Sequence, residues 1–119
     1  ADNPFVGRVG AKPEIFTYGH RNGFGLRFHP ETGELWQMEI GPMGGDEINI
    51  LKPGANYGWP LVSQGRNYTG TLVSEQPWHR QGMEQPRMFW VPQISPAGMV
   101  SVATRPTASL GPELENVTV

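Results

Sequence analysis

Three groups of residues between Tyr18 and Pro60 have the types and spacing to do chemistry. Arg21-Asn22 sets a planar cationic donor fork beside an amide that both donates and accepts. That pairing suits a carboxylate-bearing or carbonyl-rich ligand; the simpler role for Arg21 is to cap a local carbonyl or pair with an acid. Asp46-Glu47 follows the glycine-rich run Gly41-Pro42-Met43-Gly44-Gly45. Hard cations such as Ca²⁺ are held by carboxylates together with backbone carbonyls, which irregular loops expose. The regular acidic alternation of an EF-hand is missing, and the plainer reading of this segment is a solvated acidic turn. The third group is the aromatic turn Asn56-Tyr57-Gly58-Trp59-Pro60.

The remaining candidates are weaker. His20, His29 and His79 lack metal-ligand spacing and an adjacent acid. His20 is expected to be structural, bonding to backbone, and His29 to be exposed on the polar side of a strand. Tryptophans in β proteins are more often core, and Trp36 and Trp59 read so, whereas Trp78 and Trp90 are freer to face a flat or ring-shaped ligand. Asn67-Tyr-Thr69 and Asn116-Val-Thr118 match the glycosylation triplet, which often arises by chance. With no cysteine, neither a disulfide framework nor a thiolate metal site is available. A net charge of −2 gives no broad attraction for nucleic acid or an anionic membrane. No apolar run reaches the roughly 18 residues of a membrane span, and the first ten residues have neither the basic nor the apolar region of a signal peptide.

The elements that must position these groups are short strands. Gly 16 and Pro 12 make up roughly a quarter of the chain, but aperiodically, punctuating runs that contain Trp and Phe as turns do in all-β proteins. Phe24, Leu26 and Phe28 alternate with Gly25, Arg27 and His29, which predicts a half-buried strand with the apolar set inward. Pro30-Glu-Thr-Gly33 has turn chemistry, with Gly33 free to take positive φ, and Glu34–Ile40 alternates again, so the two form a hairpin. Glu47–Leu51, Arg87–Val91 and Ala97–Ala103 read as further strands. The pairs over 24–40 and 87–103 are spaced as consecutive propeller blades would be. The core is expected within 13–102, with 61–86 a long loop excursion and 104–119 a frayed end.

The motifs GHRN (19–22), TG-LW (32–36), E-GP-GGDEIN (39–49), G-NYGWP (54–60), EQP (84–86) and SPAGM (95–99), in that order, resemble the glucose/sorbosone dehydrogenase family of pyrroloquinoline-quinone-dependent soluble sugar dehydrogenases. The resemblance implies an all-β fold: about two blades of a six-bladed β-propeller, since a full ring needs about six four-stranded blades and the rest of the propeller is missing from this chain. It implies oxidation of an aldose sugar at C1 to a lactone, with hydride transfer to pyrroloquinoline quinone (PQQ), aided by Ca²⁺, and reoxidation by a redox electron acceptor in the periplasm or outside the cell. Arg21 is then the catalytic residue that touches cofactor and sugar, Asn22 a quinone contact and Trp90 an aromatic residue lining the site. Gly41 and Pro42 hold the catalytic Ca²⁺ through their carbonyls, and Glu47 with the Tyr57 carbonyl holds a second one. The family's catalytic base comes earlier in the chain and its basic quinone-gripping residues later, so this segment is expected not to turn over sugar alone. The alternatives are a non-catalytic binding propeller of related fold and a non-functional remnant.

Overall fold

The computed structural model describes residues 3–102 and the backbone of 117–118. Its elements are all strands: β1 (Gly23–Phe28), β2 (Leu35–Glu39), β3 (Asp46–Leu51), β4 (Met88–Trp90), β5 (Val100–Ser101) and β6 (Val117–Thr118). The hairpin forms as its alternation requires, with Leu26 opposite Gln37 and Phe28 opposite Leu35. His29 N–H donates to the Glu34 carbonyl at 2.8 Å and Gly33 N–H to the His29 carbonyl at 2.9 Å. Gly33 takes φ 73°, the left-handed conformation this turn needs and a side chain resists. The His29 imidazole is half-buried rather than exposed, because its Nδ1 accepts the Glu31 and Thr32 amides inside that turn.

β3 pairs antiparallel with β2, and β4 with β3, giving one four-stranded sheet in the order β1-β2-β3-β4. This is the make-up of a propeller blade. β5 and β6 form a second, two-stranded sheet. The pairing of 87–103 into a blade of its own is therefore corrected: β4 completes the first sheet, placing Trp90 opposite Asp46 and Phe89 opposite Glu47. Residues 61–86 contain no strand and meet the rest through isolated bridges such as Met43 to Arg66. The expected frayed end at 104–119 falls outside the described residues except at Val117–Thr118, whose backbone pairs with β5.

Directly opposed residues share a face of the sheet, and the two faces differ. On one, Met38, Ile48 and Met99 form the core cluster, with Trp36 and Trp90 packed against it. Arg27 Nε donates to the Met99 carbonyl at 3.1 Å and ties β1 to the chain entering β5. The other face is polar where it is buried: Gln37, Glu39 and Asn49 are all nearly inaccessible. The apolar row of β1 is not inward as expected. Phe24, Leu26 and Phe28 are 57%, 58% and 70% exposed, because β1 is an edge strand and nothing among the described residues covers that row.

Glycines at two crossings bring loops to backbone contact. A side chain at Gly41 would overlap the Gly44 and Gly45 carbonyls, and one at Gly65 would overlap the Gly44 carbonyl. The 41–45 loop thus lies directly against the 63–66 turn, held by reciprocal Met43 and Arg66 backbone hydrogen bonds at 3.0 and 3.1 Å. No helix among the described residues is long and apolar enough to cross a membrane.

Candidate functional site

The site builds up at the end of the sheet where β1 begins and β2 ends. Ile40 N–H donates to the Asn22 carbonyl at 3.0 Å, which closes the sheet just before the chain leaves it. From there the Arg21 side chain reaches across the loop after β2: Nη1 donates to the Ile40 carbonyl at 2.9 Å and to the Gly41 carbonyl at 3.1 Å. Nη2 donates to the Tyr68 hydroxyl at 3.1 Å, and the guanidinium lies 5.5 Å from the centre of the Trp59 ring. Arg21 therefore does cap local carbonyls, and in doing so joins the strand ends, the aromatic turn and the 61–86 excursion. Asn22 beside it is exposed.

Glu39, the last residue of β2, organises the segment that carries Arg21. It is 2% exposed, and its Oε1 accepts the backbone N–H of Arg21 at 2.7 Å and of Asn22 at 3.2 Å. Its Oε2 meets His20 Nδ1 at 2.5 Å and accepts Asn49 Nδ2 at 3.2 Å. His20 Nε2 lies 2.8 Å from the Thr17 hydroxyl, and the ring stacks on Tyr57 at 4.8 Å. The expected backbone-bonding histidine is thus held by two side chains. A buried carboxylate is costly without donors, and here four of them converge on it.

Asp46 is fully buried and structural. Its Oδ1 accepts the Gly41 N–H at 2.9 Å, and its Oδ2 accepts the Ile94 and Ser95 N–H groups at 2.8 and 2.6 Å, pinning the 41–45 loop to the chain after β4. Gly41 and Pro42 are themselves buried. Glu47 faces the other way, directly opposite Glu39. Burial, reinforced by the Glu39 charge, pushes its carboxyl from 4.5 up to about 8. Burial also pushes up the Tyr57 phenol, which donates to the Ile50 carbonyl at 2.5 Å and accepts the Lys52 N–H at 2.9 Å. Among the described residues no three His, Cys, Asp or Glu side chains converge on a space for a metal ion. The structure brings Arg21, Asn22, Gly41 and Pro42 together, links Glu47 to Tyr57 through Glu39 and His20, and puts Trp90 on the opposite face, against the core.

Residues 1–114 match the family model described as glucose/sorbosone dehydrogenase. The chain belongs to that family. It is 46% identical over 99 residues to the aldose sugar dehydrogenase YliI of Escherichia coli, a match covering 82% of this chain and 27% of that protein. A crystal structure of glucose dehydrogenase superposes with TM-score 0.78 at 46% identity, covering 82% of this chain and 29% of the other. The PQQ-bound aldose sugar dehydrogenase of Streptomyces coelicolor superposes with TM-score 0.51 at 32% identity, covering 75% and 21%. The chain thus spans about a quarter of the length of its relatives, and its four-stranded sheet is part of their β-propeller.

Residue-by-residue reading missed Glu39, Trp59 and Tyr68. The placing of Glu39 in an alternating strand gave it the pattern of a solvent-facing residue, and only its register opposite Asn49 and Glu47 and the return of residues 17–21 over it make it buried. Trp59 had a signal in the aromatic turn but was assigned to the core. Tyr68 lies in the excursion, which has no period to place it.

Proposed function

We propose that this chain is the central portion of a PQQ-dependent sugar dehydrogenase of the periplasm or cell exterior, and that Arg21 and Asn22 are its contacts to cofactor and sugar. The observation that carries the reading is the Arg21 guanidinium, laid over Trp59 and fixed at the Gly41 carbonyl with exposed Asn22 beside it. A fixed cation next to an aromatic face and an accessible amide fits a flat, anionic quinone. When bound, PQQ would supply the acceptor for the hydride leaving C1 of an aldose, which departs as a lactone. Arg21 would bind and orient the ligands and stabilise negative charge that develops beside it.

For Ca²⁺ the donor chemistry also fits. Pro42 offers a backbone carbonyl in a buried loop, as does Gly41, whose carbonyl a cation would share with Arg21 Nη1, and Glu47 is a carboxyl disfavoured as an anion by burial and by Glu39. A divalent cation near Glu47, with the Tyr57 carbonyl as a further ligand, would relieve that repulsion. Trp90, packed against the core cluster on the opposite face from Glu39 and Glu47, does not enter this reading. The rest of the ring, an aldose and a redox electron acceptor are the partners this reading requires.

The test is a chimera of the E. coli relative in which this chain's residues replace the matched segment. It is expected to reduce a redox dye with an aldose once PQQ and Ca²⁺ are added, and Arg21→Ala in the chimera is expected to remove that activity. The chain by itself, given the same additions, is expected to leave the dye unreduced. A folded chimera that binds no PQQ would sink the assignment.

A further inference from the structure

Resting on the reading of Arg21-Asn22 as a ligand contact, we propose that Glu39 is the positioning residue of that pair, a single buried carboxylate that holds the backbone N–H groups of Arg21 and Asn22 and the side chain of His20 just ahead of the β1 ladder. β1 begins only at Gly23, so residues 20–22 lie outside its register. What fixes them is Glu39: Oε1 takes the Arg21 and Asn22 N–H groups at 2.7 and 3.2 Å, and Oε2 takes His20 at 2.5 Å. With the backbone of Arg21 set there, its guanidinium reaches the Ile40 and Gly41 carbonyls.

The carboxylate itself is braced. Asn49, 1% exposed, donates to it from the neighbouring strand at 3.2 Å. His20, stacked on Tyr57 and bonded to Thr17, closes the remaining side. The arrangement also dictates where the proton of a neutral His20 sits. An ionised carboxylate accepts only, so the ring proton is on Nδ1, and Nε2 accepts the Thr17 hydroxyl. A glutamine at position 39 cannot serve all of these donors. If its oxygen keeps the two backbone N–H groups, its amide N–H faces His20 Nδ1, which must then accept, moving the ring proton to Nε2.

Nuclear magnetic resonance on the isotope-labelled 119-residue chain tests this. In the unsubstituted chain, scalar coupling across the hydrogen bond from the Arg21 amide to the Glu39 carboxyl carbon is expected, with His20 in the Nδ1–H form. In Glu39→Gln the histidine is expected to switch to the Nε2–H form, and amide exchange at Arg21 and Asn22 to speed up by about tenfold to a hundredfold, the worth of a hydrogen bond to a charged group. Glu47→Gln, which removes the neighbouring carboxyl and alters its hydrogen bond with Asn49 but leaves the Arg21, Asn22 and His20 donors to Glu39 in place, is expected to change neither. Absence of the coupling in the unsubstituted chain overturns the proposal, as does equal exchange in it and a folded Glu39→Gln. Should Glu39→Gln not fold, the coupling alone decides. PQQ added to the chimera with the E. coli relative, labelled in the same way, is expected to shift the Arg21 and Asn22 signals. Signals that ignore PQQ while the coupling persists overturn the ligand-contact reading and leave the anchor standing.

Discussion

Glu47 should make the stability of this chain fall as pH rises through neutrality. Its carboxyl titrates at about 8 in the folded chain against 4.5 for an ordinary glutamate, chiefly because burial disfavours the charge and secondly because Glu39 stands opposite. Between those two values the folded state keeps a proton that the unfolded state has lost. Unfolding therefore releases a proton and becomes easier as pH rises. The contribution is fully present below about pH 4.5 and gone above about pH 8. Each pH unit inside the window removes about 1.4 kcal/mol, so the full span corresponds to about 5 kcal/mol, reduced to roughly 2–5 kcal/mol as water and side-chain relaxation reach a carboxyl that is not wholly enclosed. Urea unfolding followed by tryptophan fluorescence at pH 5, 6, 7 and 8, in buffer with a calcium chelator, measures it. Glu47→Gln keeps the shape and removes the titration, so its stability should decline less across the series, the gap to the unsubstituted chain widening towards pH 8. The comparison cancels contributions from the three histidines, which both chains carry. Parallel stability curves for the two chains from pH 5 to 8 would refute the reasoning.

Four further outcomes are expected. Added Ca²⁺ at pH 7 should lower the apparent titration point of Glu47, read from its side-chain carboxyl ¹³C resonance, if Glu47 is a ligand; an unmoved resonance at saturating Ca²⁺ removes it from the metal set. Asp46→Ala should cost about 3 kcal/mol or more in urea unfolding, because three buried or partly buried backbone N–H groups lose a charged acceptor together. Gly41→Ala should cost about 2 kcal/mol or more because its methyl would overlap two backbone carbonyls, whereas Gly98→Ala, with open space around it, should stay within about 0.5 kcal/mol of the unsubstituted chain. Met38→Ala, at a fully buried position in the core cluster, should cost about 2–5 kcal/mol.

The hairpin was legible because its signals are local. Alternation sets β1 and β2, and Gly33 must supply the positive φ of the turn between them. The sheet was less legible because β4 returns to β3 across a long stretch without strands, and nothing in residues 88–90 names their partner. Periodicity also reports that two faces of a strand differ without saying which is covered. That is why Phe24, Leu26 and Phe28 read as buried when they are not. Arg21 and Asn22 stood out by type, and the structure gives Arg21 the carbonyl-capping contacts that its simpler reading foresaw. Glu39 could not be singled out, since its chemistry depends on segments that approach from both sides in sequence.

These contacts imply a division of labour between the carboxylates that sequence alone would have grouped. Asp46 and Glu47 are adjacent, but alternation sends them to opposite faces of β3. Asp46 goes to the structural side, where it fixes the Gly41-Pro42 loop from behind. Glu47 goes to the polar side, where it meets Glu39. The two glutamates then differ in what surrounds them. Glu39 has four donors and serves as an anchor; Glu47, pushed towards its neutral form, is the one with an electrostatic reason to take up a cation. Substituting them one at a time separates the roles: losing the Glu47 carboxylate should disturb calcium without Arg21, whereas losing that of Glu39 should disturb Arg21 and, by removing the charge opposite Glu47, ease the ionisation of Glu47.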